Sequence, residues 1–137
     1  MLLTIHQPEH LPWQGFFHKM AAADCFVVLD NVQYRHHYFQ NRNRILAREP
    51  MWLTVPVLRG DSHYGRIDQV LIENTQAWRH KYWKSIEQNY RSHPHYERYE
   101  GALREIVHTP FDRLIDLNLA LIDFFRDALG ITCPMVR

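Results

Sequence analysis

The residues best equipped for chemistry stand near the start of the chain, in HQPEHLPW, residues 6 to 13. Two imidazoles, His6 and His10, are four residues apart, with Gln7 between them and Trp13 just beyond. Pro8 and Pro12 hold this backbone out of a helix, because each lacks an amide donor and restricts the residue before it. Imidazoles in such a turn can hydrogen-bond phosphate oxygens. His10 and His6 can also move a proton or stabilise charge on a transferred phosphoryl group. The plainer alternative has His6 bonding to backbone at the end of a strand, with Trp13 in the core.

A second group follows in DNVQYRHHYFQNRNRI, residues 30 to 45. Asp30 would supply a carboxylate beside the two imidazoles. Gln33, Asn41 and Asn43 carry amides suited to a base or sugar edge, Tyr34 adds a phenol, and the forks of Arg42 and Arg44 suit phosphate or carboxylate. A solvated basic loop is the competing reading. Metal chemistry has little support: the prolines prevent His6 and His10 from sharing a helix face, and His36 and His37 are adjacent, so their rings diverge. No nucleophile stands out either. Cys25 lies at a strand start, and Ser62 and Ser85 have no evident base.

These groups need elements to position them. Leu2 to His6 reads as a buried strand, Phe16, Phe17 and Met20 as one face of a short helix after a turn at Gly15, and CFVVLD (25–30) as a second strand. Continuous apolar runs of this kind indicate strands covered on both faces, as in parallel α/β sheets. Strand, helix and strand within about 30 residues make one βαβ unit. In an open α/β sheet, ligands sit at the carboxyl ends of the strands, which is where both groups fall. Residues 31 to 50 read as a long functional loop. MWLTVPVL (51–58) reads as a further strand, RGDSHYG (59–65) as a turn, and residues 66 to 73 as a short strand.

Three helices are expected next. Asn74 or Thr75 caps the first, with a stripe of Trp78, Tyr82, Ile86 and Tyr90 and Trp83 beside it. The second starts at Pro94 and carries Tyr96, Tyr99, Leu103 and Ile106. The third starts at Thr109-Pro110 and runs along Leu114, Ile115, Leu121, Ile122 and Phe125 to Gly130. ITCPMVR then begins another strand, so either an edge strand is completed there or the sheet is cut short at its C-terminal side. The expectation is one α/β domain over 1–137, with a strand-turn-helix-strand core in 1–58 and a helical segment in 74–130.

Composition narrows the function. Of 137 residues, 46% are hydrophobic and 23% charged, which is ordinary for a globular protein. A net charge of +1 argues against a nucleic-acid-binding module. Ten histidines make partner affinity open to pH. Two cysteines without a CxxC pair read as buried filler in a reducing cytoplasm. No apolar run reaches the ~20 residues of a membrane helix.

HQPEHLPWQGFFHK, ADCFVVLDNVQY, QNRNRI, WLTVPV and LIDLNLALIDFF together resemble the WbqC-like family, over essentially the whole chain. That resemblance implies a transferase of bacterial surface polysaccharide (O-antigen) biosynthesis. Two departures accompany it: position 10 is typically tyrosine in such proteins, and they continue beyond the equivalent of Arg137. QPEHLPW is also similar to the strand-one turn of HxGH nucleotidyltransferases, with His10 at the first histidine but Pro12 and Trp13 where the glycine and second histidine stand. This weaker similarity implies a Rossmann-like sheet, parallel or mixed, flanked by helices.

The expected function is transfer from a nucleotide-linked or phosphorylated donor, such as a nucleotide-sugar, to a sugar or glycan acceptor, with Mg2+ entering only with the donor. His10, His6 and Asp30 would be catalytic. Gln7, Trp13, Gln33, Tyr34, Asn41, Arg42, Asn43 and Arg44 would bind substrate, and no metal would be held by protein alone. A homo-oligomer is compatible with this reading. The rivals are a non-catalytic glycan-binding or scaffold protein and a single-stranded RNA-contacting module using RHHYFQNRNR.

Overall fold

The computed structural model describes residues 1–58, 60 and 65–137. Most of the turn expected over 59–65, Ser62 included, lies outside the described residues. β1 (Leu3–His6) and β2 (Cys25–Val28) pair in parallel, with Leu3 opposite Cys25 and His6 opposite Val28. Between them runs α1 (Gln14–Ala21), so the expected βαβ unit is present.

The helix buries Phe16, Phe17 and Met20 against Phe26 and Val28 of β2, and Ile122 and Cys133 complete this cluster. Each fully buried Phe or Met contributes about 1.5–3 kcal/mol. The opposite face of the sheet is bare: Leu3 and Ile5 are each 49% exposed, and Val136 46%. A buried parallel pair does not explain these positions; only one face is covered.

Gly15 does not make a turn. It sits inside α1, and a Cβ there would meet the Trp13 indole at 2.1 Å. Because Trp13 is 66% exposed and free to swing away, Gly15→Ala is expected to raise or preserve the melting temperature, through helix propensity of about 1 kcal/mol. The tryptophan emission should shift at the same time. A loss of more than a few degrees would show that the indole is held.

The segment 31–50, expected as a long loop, contains β3 (Arg42–Ile45), which pairs antiparallel with β4 (Met51–Thr54) as a separate hairpin. The short strand expected over 66–73 is instead a 3-10 turn, Ile67–Gln69, followed by bridges from Leu71 to Arg113 and Ile72 to Val57.

All three later helices form: α2 (Trp78–Tyr90), α3 (Tyr96–His108) and α4 (Leu114–Ala128). Their starts differ from expectation. Ala77 precedes α2 without a side-chain cap, since Asn74 bonds to Phe111 O and Thr75 to Glu73. Thr109 ends α3 rather than opening α4. Gly130, at φ 68°, does end α4 as a C′ residue. β5 (Met135–Val136) then joins β2 in parallel, giving the sheet order β1-β2-β5.

The second core cluster gathers Trp78, Tyr82, Trp83 and Ile86 of α2, Leu114, Leu117 and Leu121 of α4, and Ile45, Leu53 and Val55 of the hairpin. α4 thus packs into both clusters. Both cysteines are free, and Cys133 is buried filler.

Candidate functional site

His6 ends β1, and Leu29 N donates to His6 O at 2.8 Å, so the carboxyl ends of β1 and β2 are adjacent. The His6 ring lies edge-on to Phe16 at 5.1 Å. Its Nδ1 is 2.9 Å from Gln7 O. A carbonyl can only accept, so Nδ1 carries the proton. In the neutral ring Nε2 then keeps its lone pair.

The orientation of Gln7 follows from similar logic. Arg35 N–H donates to Gln40 Oε1 at 2.7 Å, which makes Gln40 Nε2 the donor to Gln7 Oε1 at 2.8 Å. Gln7 is therefore held by its oxygen and left with an NH2 group to offer. Glu9 is buried beside His6. Burial raises its carboxyl above the usual range, and His6, when protonated, pulls it back in part.

On the β2 side, Asp30 is 8% exposed and accepts from Arg137 Nε at 2.6 Å. Asp68 N donates to Asp30 O at 3.1 Å, and the Asp68 carboxylate takes both arms of Arg66. The Arg66 guanidinium, through hydrogen bond and charge, holds Asp68 below its ordinary value. Gln33 bridges to Arg66. The carboxyl end of β1 thus carries His6 and Gln7, with Glu9 buried behind them, and the adjacent end of β2 carries Asp30 in a lattice with Arg137, Asp68 and Arg66. Among the described residues no group of three His, Cys, Asp or Glu side chains could hold a metal.

His10 is not part of this surface. It is 0% exposed, with Nδ1 2.8 Å from Asn118 Oδ1 and Nε2 2.6 Å from Tyr82 Oη. Asn118 Nδ2 donates to Gln40 O at 2.7 Å, which identifies Oδ1 as the acceptor for His10 Nδ1–H. Tyr82 O–H then donates to Nε2, and the ring is neutral. Burial drives its pKa down to about 4, against a partial lift from the Asn118 bond. The catalytic role expected for His10 is corrected here: both nitrogens are spent inside the protein. The phosphate contact implied by its match to the first nucleotidyltransferase histidine goes with it.

Other expected ligand groups are also engaged structurally. Asn41 Nδ2 donates to Val55 O, and Asn43 Nδ2 to Leu11 O at 2.8 Å and His10 O at 3.2 Å. Both amides are tied to backbone, and Asn43, with two acceptors on its nitrogen, has no donor left for a sugar or base. Asn43 instead secures Leu11, whose φ of 45° is unfavourable for a branched side chain. Arg42 and Arg44 stack on Trp52 at 4.2 and 4.9 Å, on the hairpin rather than beside Asp30. Tyr34 is buried, with its phenol pushed up to about 12 by desolvation, partly opposed by Arg42. Trp13 is exposed rather than in the core.

Sequence reasoning missed Glu9, Gln40, Tyr82, Asn118, Arg66, Asp68 and Arg137. Asn118 carries a signal, as a polar residue within the buried stripe of α4; the Tyr82 stripe carries none for its hydroxyl.

The architecture is mixed α/β, a parallel sheet with helices packed on it and a polar cluster at its carboxyl end. The chain belongs to the WbqC-like protein family, whose profile matches residues 7–137. It is 31% identical, over 98% of its length, to the uncharacterized protein Rv1507c of Mycobacterium tuberculosis. The chain spans 59% of that relative's length. No solved structure matches it. No helix among the described residues is long and apolar enough to cross a membrane.

Proposed function

We propose that this chain carries the donor-binding part of a cytoplasmic transferase in bacterial surface-polysaccharide assembly, with a nucleotide-linked or phosphorylated donor at the carboxyl end of a Rossmann-like sheet. The observation that carries this reading is the fixed orientation of Gln7 and His6. Gln40 leaves the Gln7 NH2 group to donate to a donor oxygen, and the Nδ1–H tautomer of His6 leaves Nε2 to accept a proton from an acceptor hydroxyl. Asp30, steadied by Arg137, accepts from sugar hydroxyls. Glu9, raised by burial, supplies a proton to the leaving group. His10 is a positioning residue: through Asn118 and Gln40 it holds the floor on which Gln7 rests.

A thermal-shift screen with nucleotide sugars, sugar phosphates and nucleoside triphosphates, with and without Mg2+, tests this. At millimolar ligand, at least one class should raise the melting temperature of the wild type but not of Gln7→Ala or Asp30→Ala. An unchanged melting temperature with every class rejects the reading.

A further inference from the structure

A hollow of about 520 Å3 lies between α2, α3 and the hairpin, apart from the end of the sheet. Its volume falls within the roughly 300–1,000 Å3 typical of small-molecule sites. Trp83, Tyr90, Tyr99 and Phe125 supply aromatic walls, and the rim carries Arg44, His93 and His95 against one acid, Glu100. We propose that this hollow binds a planar aromatic ring bearing one compact anionic group, a carboxylate or a phosphate.

Aromatic walls favour a flat ring, through offset and edge-on contacts worth about 0.5–1.5 kcal/mol each beyond burial. The anion is argued from charge. Arg44 has no carboxylate partner among the described residues; its guanidinium rests on Trp52, which leaves its fork free for an oxyanion. A net charge of +1 gives no field for a long polyanion, whereas a single anionic group needs only this rim. One further observation agrees. His95, where the chain enters α3, is held at φ 70°, a conformation uncommon outside glycine that tends to mark ligand clamps.

The ring anion could be a mononucleotide or an aryl acid, and calorimetric titration separates the two. Adenosine monophosphate and 4-hydroxybenzoate are the test ligands; ribose 5-phosphate (anion without ring), octanoate (anion with a chain) and phenol (ring without charge) are the controls. Saturable binding of either test ligand, at least ten-fold tighter than every control, is expected, and which one binds identifies the source. Binding of a control as tight as the test ligands, or no heat from either test ligand up to 10 mM (about 2.7 kcal/mol of binding free energy by the relation of affinity to dissociation constant), overturns the proposal. Arg44→Gln, at an exposed position, should weaken the anion at least ten-fold. Leu103→Trp should fill the hollow and abolish binding, with folding checked by circular dichroism; retained binding in both variants also overturns it. Gln7→Ala and Asp30→Ala should bind as the wild type does, so this site stands or falls separately from the end of the sheet.

Discussion

Replacing His10 by alanine is expected to cost about 3–5 kcal/mol of stability and roughly 10–17 °C in melting temperature, the largest effect of any single substitution proposed for this fold. Two penalties combine. The imidazole is wholly buried, so its removal leaves a cavity. It also strands Tyr82 O–H and Asn118 Oδ1, both paired only through that ring. His10→Gln should be much milder, because its NH2 can donate to Asn118 and its carbonyl can accept from Tyr82. Denaturant unfolding of both variants checks this. Equal and small losses would show that the network does not hold the turn.

Acid is expected to produce the second large effect. The folded protein keeps His10 neutral down to about pH 4, whereas the unfolded chain protonates it near pH 6.5. Between these values the unfolded state binds the extra proton, so stability rises with pH. The contribution is complete above pH 6.5, is lost as pH falls toward 4, and then levels off. Its full size is about 3 kcal/mol, at 1.36 kcal/mol per pKa unit. Glu9 works in the opposite sense, since its raised pKa lets the folded state take a proton first as pH falls. The observed loss is therefore the smaller net of the two. In His10→Gln the fall above about pH 5 should disappear, read from melting temperatures between pH 4 and 7.5. What remains is the opposite Glu9 contribution and, toward pH 4, the acid losses of Asp68 and Glu73, whose carboxyls are held low by Arg66 and Thr75.

The βαβ start of this fold was legible because CFVVLD is apolar without interruption and the prolines bracket a turn. The hairpin was not. β3 reads Arg42-Asn43-Arg44-Ile45, and only Ile45 among these four is buried, so no alternation announces a strand. The site was half legible for a related reason. Strand ends could be placed, and with them His6, Gln7 and Asp30. What the side chains at those ends bond to could not. His10 meets partners 72 and 108 residues away, and Gln7 meets one 33 away. No local spacing encodes such pairs. Amide groups expected to face a ligand were consumed in holding Leu11 and Val55, since a turn with a strained residue needs bonds of its own. Arg137 reaches Asp30 only because β5 lies beside β2.

Imidazole nitrogen spectra, recorded by long-range 15N–1H correlation while nucleotide sugars and sugar phosphates are titrated in, test the central claim most directly. The free protein should show His6 as the Nδ1–H tautomer. Any nucleotide sugar or sugar phosphate whose stabilisation is lost in Gln7→Ala should move its Nε2 signal and leave His10 unchanged. Such a ligand leaving His6 unmoved, or shifting His10 first, would contradict the account.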